Sequence, residues 1–345
     1  MSSAKQTAVV ICPGRGTYNK PELGILSRQF SDKALLRRFD DMRRAQGQDT
    51  LSELDGAARY SIAKHTRGDK ASALIYAATL GDFRAINPDK IEVVAVTGNS
   101  MGWYSALACG GALSAEGGFE VVNTMGTLMQ ENMIGGQLIY PFMDSDWHPD
   151  RARKAELLAL VDDIDRTDAT LTLSIDLGGM LVLAGDDAGL AAFEKAVPVV
   201  QERFPMRLAN HAGFHSHLQA PVSAQGRTQL GAGLFRQPDL PLIDGRGRIW
   251  WPGACDPNAL WDYTLGHQVT ETYDFTHAIA QAAHEFAPDL FIVTGPGTTL
   301  GGAVAQSLIL TNWSGLSDKS TFQSRQRNSP ILCSMGMDEQ RKQVT

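Results

Sequence analysis

The chain has 345 residues, 43% of them hydrophobic and 20% charged, which is enough to build one large domain or two modest ones around a sizeable core. A formal net charge of −7 argues against a nucleic-acid partner, whose binding surface would be basic, and no apolar run is long enough to cross a membrane. The apolar stretch near the N-terminus is too short for a secretory signal and the cysteines have no metal-binding spacing, so we expect a cytoplasmic protein with reduced thiols at Cys12, Cys109, Cys255 and Cys333.

Three short apolar runs each end in a glycine-rich turn. They are "TAVVIC" before "PGRG", "IEVVAVT" before "GNSMG", and "DLFIVT" before "GPGTTLGG". Short β-branched runs of this kind are typical of buried parallel strands, whose carboxyl ends carry ligand-binding loops. Helical patterns such as "LLRRFDDMRRAQ" and "KASALIYAATLGDFRAI" lie between them. The alternation predicts an α/β domain built on a parallel sheet.

The middle of the chain has a different order of elements. A strand-like segment "GGQLIYPFM" is followed by a charged helix "DRARKAELLALVDDID", by two strands around the Gly-Gly turn of "ATLTLSIDLGGMLVLAGD", and by a second helix "AGLAAFEKAVPVVQERF". Strand–helix–strand–strand–helix is the order of a ferredoxin-like subdomain. We therefore expect residues 134–206 to be inserted into a large α/β domain of residues 1–133 and 207–315. The polar composition of residues 316–345 predicts a loose C-terminal extension.

Ser100 lies between two glycines in "VTGNSMG", after a predicted strand and before a predicted helix. Gly-x-Ser-x-Gly in this context is the nucleophile-elbow pattern, in which the glycines allow a sharp turn and the helix start supplies free N–H groups, one of them from Met101. The five residues alone also describe an ordinary tight turn. Ser100 is therefore a candidate nucleophile that needs a base.

The chain offers eight histidines as candidate bases. The chain order of an α/β-hydrolase would use Asp262 and His284, although "AAHEFAPD" is typical of an ordinary helix end. The segment "RLANHAGFHSHLQAP" instead places His211, His215 and His217 within seven residues. Since no acidic ligand is close in sequence, we predict no metal site there.

Six segments together resemble one enzyme family, the malonyl-CoA:acyl carrier protein transacylases of fatty-acid and polyketide synthesis. In chain order between Ala8 and Ile309, they are "VICPGRG", "VTGNSMGWYSALACGGALS", "GTLMQE", "GMLVLAG", "FHSHLQAP" and "IVTGPGTTLGG". The resemblance implies an α/β-hydrolase-like core with an inserted ferredoxin-like subdomain. It also implies transfer of an acyl group from acyl-CoA to the phosphopantetheine thiol of an acyl carrier protein, with no bound cofactor or metal.

The same resemblance assigns roles to individual residues. Ser100 would attack the thioester, and His215 would take its proton. The backbone N–H groups of Arg15 and Met101 would form the oxyanion hole. A backbone carbonyl, matched to Asp274 in "TYDFTH", would steady the histidine.

Four positions depart from the family pattern. Arg15 replaces a glutamine, Asn99 a histidine and Trp103 a glutamate, while Met125 replaces the arginine that grips the malonyl carboxylate. Methionine cannot form that charge-assisted pair. We therefore favour an uncharged acyl group, in a pocket lined by Met125, Trp103, Asn99 and Phe214. Two other readings remain: Arg15 could supply the missing charge, or hydrolysis could replace transfer. Phe214 itself resembles the malonyl-selecting form of its loop.

Three functions follow as hypotheses. The first is an acyltransferase between acyl-CoA and an acyl carrier protein. The second is an acyl-thioester hydrolase on the same scaffold, in which water receives the acyl group. The third is a non-catalytic module that docks a carrier protein, which the departures at Asn99, Trp103 and Met125 would fit but the retained Ser100 and His215 would not.

Overall fold

The computed structural model describes residues 5–345, which form two β-sheets surrounded by helices. The strands are β1 (Gln6–Cys12), β2 (Ile91–Gly98), β3 (Gly136–Pro141), β4 (Leu171–Leu177), β5 (Met180–Gly185), β6 (Met206–Arg207), β7 (Leu242–Ile243), β8 (Ile249–Trp250), β9 (Tyr273–Asp274), β10 (Leu290–Val293) and β11 (Leu332–Ser334).

The helices lie between these strands and after the last of them, and five of them separate β1 from β2. They are α1 (Ile25–Gln29), α2 (Lys33–Ala45), α3 (Leu51–Asp55), α4 (Ile62–His65), α5 (Gly68–Ala85), α6 (Gly102–Cys109), α7 (Ala115–Glu131), α8 (Arg151–Asp165), α9 (Asp187–Ala196), α10 (Ala220–Gln229), α11 (Pro257–Leu265), α12 (His267–Thr270), α13 (Phe275–Phe286), α14 (Leu300–Leu310), α15 (Lys319–Asn328) and α16 (Asp338–Val344). In the part of the chain that the structure describes, no helix combines the length and the apolar character that crossing a membrane would require.

The main sheet has six strands in the order β11-β10-β1-β2-β7-β8. All neighbouring pairs are parallel except β7 with β8. The strands predicted from the three apolar runs, β1, β2 and β10, are therefore confirmed as neighbours in a parallel sheet. Their carboxyl ends meet at one edge, so the loops after Cys12, Gly98 and Val293 come together there.

The central strand of this sheet is completely enclosed. Every residue from Ala8 to Cys12 has no exposed surface, as expected for a parallel strand covered by helices on its faces. Helices α5 and α7 pack closely against each other, since a Cβ atom added at Gly126 would lie 2.7 Å from the carbonyl oxygen of Gly68. This contact fixes the first turn of α5 beside α7 and forms one wall of the site described below.

The second sheet has five strands in the order β6-β3-β5-β4-β9. Its first four strands pair antiparallel, and β9 joins the edge parallel to β4. The strand–helix–strand–strand–helix order predicted from the sequence corresponds to β3, α8, β4, β5 and α9. Strand β9 comes from far beyond residue 206, so the segment that was predicted as a separate insertion shares its sheet with the rest of the chain.

The second helix of this region is shorter than the sequence pattern predicts. Helix α9 ends at Ala196, and Val197 is extended with φ −105° and ψ 148°. Pro198 follows directly, and a residue before proline disfavours the helical conformation. The residues "VPVVQERF" therefore leave the helix.

The prediction of a loose C-terminal extension is wrong. Residues 316–345 form α15, β11 and α16, and β11 pairs with β10 as the edge strand of the main sheet. Val344 is 1% exposed, and the guanidinium of Arg341 forms an ion pair with the buried carboxylate of Asp82. The average composition of this segment is polar because polar residues cover its outer side, although its few apolar residues are buried. A prediction from composition therefore missed its packing against the sheet.

Candidate active site

Ser100 occupies the sharp turn between β2 and α6. Its φ of 56° lies in the left-handed region, which is uncommon for a residue with a side chain. The flanking glycines are required, since a Cβ at Gly98 would lie 2.2 Å from the carbonyl carbon of Gly102, and one at Gly102 would lie 2.1 Å from the carbonyl oxygen of Cys12. The turn therefore holds the serine at the carboxyl edge of the main sheet.

His215 lies directly against this serine. Its Nε2 is 2.7 Å from the Oγ of Ser100, and its Nδ1 is 2.7 Å from the carbonyl oxygen of Gln268. Because a carbonyl only accepts hydrogen bonds, Nδ1 carries the proton and Nε2 is left to accept from the serine hydroxyl. The ring is in the tautomer that a general base requires.

The surroundings of His215 keep the imidazole neutral. The residue is 3% exposed, and burial lowers the pKa of His215 to about 4, although the hydrogen bond to Gln268 acts in the opposite direction. At pH 7 the ring is therefore ready to take a proton.

The prediction that Asp274 provides the carbonyl for His215 is wrong. Gln268 provides it, from the four-residue helix α12, whose carbonyl groups have few partners inside so short a helix. Asp274 lies in β9, where its carboxylate accepts a hydrogen bond from the N–H of His277 at 2.7 Å and caps α13.

The side chain of Gln268 also belongs to the site. Its Nε2 donates to the carbonyl oxygen of Ser100 at 3.1 Å, and its Oε1 accepts from the hydroxyl of Tyr104 at 2.9 Å. No sequence motif marks this residue. Gln268 lies inside the short helix α12, and nothing in the sequence around it indicates a role in the site.

The two backbone N–H groups predicted for the oxyanion hole belong to residues beside the serine. Arg15 and Met101 line the same cavity as Ser100, and within residues 5–345 neither N–H donates a hydrogen bond. The loop after β1 comes so close that a Cβ at Gly14 would lie 3.5 Å from the Cβ of Ser100. Unpaired N–H donors next to a nucleophile are suited to bind a developing oxyanion.

A small cavity of about 20 Å³, called the enclosed cavity below, adjoins the Ser100–His215 pair. Gly68 of α5 and Gly126 of α7, whose lack of side chains lets the two helices approach each other, form part of its wall, and most of its surface is apolar. The lining residues are Arg15, Gly68, Ser72, Ser100, Met101, Tyr104, Gly126, Met129, Phe214, His215, Gln268 and Val269.

Two residues predicted to line the acyl pocket do not line this cavity. Trp103 is fully buried, donates from Nε1 to the hydroxyl of Thr264 at 3.0 Å and packs edge-on against Tyr263. Met125 is also fully buried and faces α10, since a Cβ at Gly226 would lie 2.7 Å from its sulfur. The wrong prediction came from sequence proximity, because neighbouring helix positions point in directions about 100° apart. Gly126 and Met129 are the residues of α7 that reach the cavity.

Arg15 brings a positive charge into the cavity. Its Nη2 donates to the carbonyl oxygens of Thr66 and Asn210, each at 2.8 Å, and its guanidinium lies 5.3 Å from the centre of the Phe214 ring. Burial lowers the pKa of Arg15 to about 10, so the group stays protonated at pH 7. In the described part of the chain no carboxylate lies within salt-bridge distance of it: Asp69, whose charge raises the pKa of Arg15, pairs with Arg67 at 2.9 Å. The buried Nε of Arg15 has no hydrogen-bond partner.

A larger cleft of about 310 Å³ opens on the other side of Ser100. It shares Arg15, Ser100 and Phe214 with the enclosed cavity, and apolar side chains of the second sheet form much of its wall. Asn99, predicted for the acyl pocket, lines this cleft instead. Phe214 lies between the two spaces, so only one of the four predicted pocket residues borders the enclosed cavity.

The other candidate residues lie apart from this centre. Asp262 pairs with Arg227 at 2.8 Å, and His284 lies in α13, so neither borders Ser100. His217 is exposed, whereas His211 lines the larger cleft. Across residues 5–345, no three His, Cys, Asp or Glu side chains are arranged to share a metal ion.

Comparison with known proteins gives a fold and no sequence family. No protein-family model matches the chain, and no curated protein matches it. Solved structures match almost its whole length. The malonyl-CoA:ACP transacylase of Synechocystis has a TM-score of 0.73 and 18% identity, with 98% of this chain and 99% of that chain covered.

Two further structures are similar to the same extent. An acyl-carrier-protein S-malonyltransferase from Burkholderia pseudomallei has a TM-score of 0.71 and 22% identity, with 98% of each chain covered. A type II polyketide synthase acyl carrier protein in complex with its malonyl-transacylase gives a TM-score of 0.73 and 17% identity, with 99% of each chain covered. The chain therefore has the fold of the malonyl-CoA:ACP transacylases, and the predicted mixed α/β architecture with a parallel sheet is confirmed.

Proposed function

We propose that this protein is an acyltransferase that moves an acyl group from acyl-CoA to the phosphopantetheine thiol of an acyl carrier protein. One observation carries the proposal: the Oγ of Ser100 lies 2.7 Å from the Nε2 of His215, whose Nδ1 is held by the carbonyl of Gln268. The shared fold supports the choice of substrates, because the similar structures are transacylases and one of them is in complex with an acyl carrier protein.

The first half-reaction forms an ester on Ser100. As Oγ attacks the thioester carbonyl, Nε2 of His215 takes the hydroxyl proton, and the carbonyl oxygen becomes an oxyanion that the N–H groups of Arg15 and Met101 bind. The carbon–sulfur bond then breaks. The CoA sulfur takes the proton from Nε2 of His215 and leaves as the thiol, and the acyl group remains on the serine.

The second half-reaction runs the same steps with a different thiol. The carrier thiol gives its proton to Nε2 of His215 and attacks the ester carbonyl. When the intermediate collapses, the Oγ of Ser100 leaves and recovers that proton. CoA thioester and carrier phosphopantetheine enter only as substrates, and the chemistry calls for no metal or prosthetic group.

For the acyl group, we infer one that ends in a carboxylate, such as malonyl. The preference for an uncharged group depended on Trp103 and Met125, which lie outside the enclosed cavity. Arg15 lines it and is protonated, and among the residues described no carboxylate forms an ion pair with it, since the neighbouring Asp69 pairs with Arg67. Because the buried Nε of Arg15 has no hydrogen-bond partner, a ligand carboxylate would complete the hydrogen bonding of this guanidinium.

We also infer the domain organisation that the sequence predicts, with modified limits. The main sheet would be an α/β-hydrolase-like core, built from residues 5–133 and 207–315 together with the C-terminal segment. Residues 134–206 would be an inserted ferredoxin-like subdomain, completed by β9. The large cleft between the sheets would admit the pantetheine arm.

The test is a transfer assay with a carrier as acceptor. The protein is incubated with malonyl-CoA and a phosphopantetheine-bearing acyl carrier protein, and intact mass measures the acylated carrier. The same carrier without its phosphopantetheine is the control. We expect malonyl-carrier only when the arm is present. Release of free malonate and CoA without acylated carrier would favour the hydrolase, and no consumption of any acyl-CoA would favour a docking module.

A further inference from the structure

One histidine near the dyad has no role in the chemistry above. His211 lies four residues before His215 and borders the large cleft together with Ser100 and Phe214. It also lines a neighbouring cleft of about 260 Å³ with Gly16 and Met206. Its ring centre is 5.7 Å from that of Phe214. His211 therefore lies on the path that leads to the nucleophile.

A chain of hydrogen bonds fixes which nitrogen of His211 carries the proton. Ser174 donates from Oγ to the carbonyl oxygen of Phe214 at 2.7 Å, so its oxygen can accept from the Nε2 of Gln137 at 2.6 Å. The glutamine oxygen then faces Nδ1 of His211 at 2.8 Å. Because that oxygen only accepts, Nδ1 is the protonated nitrogen and Nε2 presents a bare lone pair.

The charge state of His211 agrees with this tautomer. Burial lowers the pKa of His211 well below its ordinary value, and the nearby Arg15 and His215 add to the effect. The ring is therefore neutral at pH 7 and can only accept a hydrogen bond at Nε2. Within the described residues, no protein donor reaches that atom.

We propose that His211 is a positioning residue whose Nε2 accepts a hydrogen bond from the amide N–H nearest the sulfur of the substrate's pantetheine arm. The inference rests on the proposed acyltransferase function. Both half-reactions use this arm, and its first amide lies two methylene groups from the sulfur, so a thioester held at Ser100 extends the amide into the cleft that His211 lines. A lone pair cannot bind a carboxylate or phosphate, which leaves an N–H or hydroxyl donor as its partner.

Two thioesters that differ only in this amide test the proposal. The malonyl thioester of 2-acetamidoethanethiol contains the amide, and that of pentane-1-thiol has methylene groups in its place. Steady-state kinetics are measured on the parent protein, on His211→Leu, on His211→Gln and on the control His217→Leu, whose parent side chain is exposed. Thermal unfolding midpoints report on the fold of each variant.

We expect His211→Leu to lower kcat/KM for the amide thioester by about tenfold, mainly through KM, because one hydrogen bond to the ligand is lost. The pentanethiol ester should change less than about twofold. His211→Gln should recover most of the loss, since its amide oxygen can reach the position of Nε2. His217→Leu should behave as the parent does.

An equal loss on both thioesters would overturn the proposal, because it would indicate a structural or catalytic role for His211. No loss on either would overturn it as well. If the parent protein turns over neither of the two thioesters nor any acyl-CoA, both the proposed function and the proposed role of His211 are wrong. If the parent protein turns over both thioesters with equal kcat/KM, the proposed role of His211 is wrong, whereas the proposed acyltransferase function is supported.

Discussion

The carbonyl oxygen of Gln268 accepts the Nδ1–H of His215 at 2.7 Å, while the side-chain amide of Gln268 donates to the carbonyl oxygen of Ser100 at 3.1 Å. One residue therefore contacts both members of the proposed dyad. A neutral carbonyl orients the imidazole here, in the place where a serine protease uses a carboxylate. With no negative charge beside it, the buried His215 keeps a low pKa.

The first prediction concerns the side chain of Gln268. Gln268→Ala removes the bonds to Ser100 and Tyr104 and loosens the segment that carries the carbonyl for His215. We expect the rate of Ser100 acylation to fall by roughly 10- to 100-fold, since each misplaced catalytic contact costs on the order of 1–2 kcal/mol. Rapid-quench mass spectrometry of the acyl-enzyme measures that rate.

Asp274→Ala is the matched control for this change. It removes the cap of α13, so stability should fall by about 1 kcal/mol in urea unfolding, while the acylation rate stays within about threefold. A large loss of rate in Asp274→Ala together with a normal rate in Gln268→Ala would reverse the assignment of the histidine's partner.

The second prediction is the pH dependence of the reaction. The pKa of His215 in the folded protein, about 4, lies below the ordinary value of 6.5, so the base stays neutral as the pH falls through 6.5. We expect kcat/KM to be nearly constant between about pH 5 and pH 8 and to decline only below that range. Tryptophan fluorescence across the same pH range reports whether the protein is folded, and so distinguishes protonation of His215 from acid unfolding as the cause of a decline. An inflection near pH 6.5 in the folded protein would contradict the prediction.

The third prediction concerns selection of the acyl group by Arg15. Arg15→Leu keeps the backbone N–H but removes the guanidinium from the cavity. We expect kcat/KM for malonyl-CoA to fall at least about 100-fold, equivalent to about 2.7 kcal/mol, with acetyl-CoA changed by less than about fivefold. Competition between the two acyl-CoAs, read as acyl-enzyme masses, gives the ratio directly.

Met125→Leu provides the comparison for Arg15→Leu, because Met125 is buried against α10 and does not line the cavity. Its malonyl-to-acetyl ratio should equal that of the parent. If the parent protein takes acetyl-CoA in preference to malonyl-CoA, and Arg15→Leu leaves that ratio unchanged, the carboxylate proposal is wrong.

The fourth prediction separates Trp103 from substrate binding. Trp103→Phe removes the hydrogen bond from Nε1 to Thr264 inside the core. We expect the free energy of unfolding to fall by about 1–3 kcal/mol while the malonyl-to-acetyl ratio stays constant. Urea denaturation and the same competition assay measure the two quantities. A changed malonyl-to-acetyl ratio with an unchanged free energy of unfolding would contradict this prediction and would indicate that Trp103 contacts the acyl group.

The sequence predicted those parts of the molecule that depend on local patterns. Buried parallel strands have a distinctive composition, so β1, β2 and β10 could be identified, and the two glycines around Ser100 marked a turn that no larger residue could form. The proximity of His215 to Ser100 came from family resemblance, because no local rule connects residues so distant in sequence.

The wrong predictions concern features that depend on how distant parts of the chain pack together. Met125 and Gly126 are adjacent in sequence, yet only Gly126 faces the cavity, and the direction of α7 was unknown. Gln268 acts through a backbone carbonyl, which every residue has and which therefore carries no sequence signature. The C-terminal segment was misjudged because a few buried apolar residues, such as Val344, fix it despite its polar average composition.

The central claim is that Ser100 becomes acylated, and the intact mass of the protein after brief exposure to malonyl-CoA tests it most directly. We predict an added mass of one malonyl group, mapped by peptide analysis to Ser100, absent in Ser100→Ala and discharged when a phosphopantetheine-bearing carrier protein is added. An adduct that persists in Ser100→Ala, or no adduct with malonyl-CoA or any other acyl-CoA, would contradict the claim.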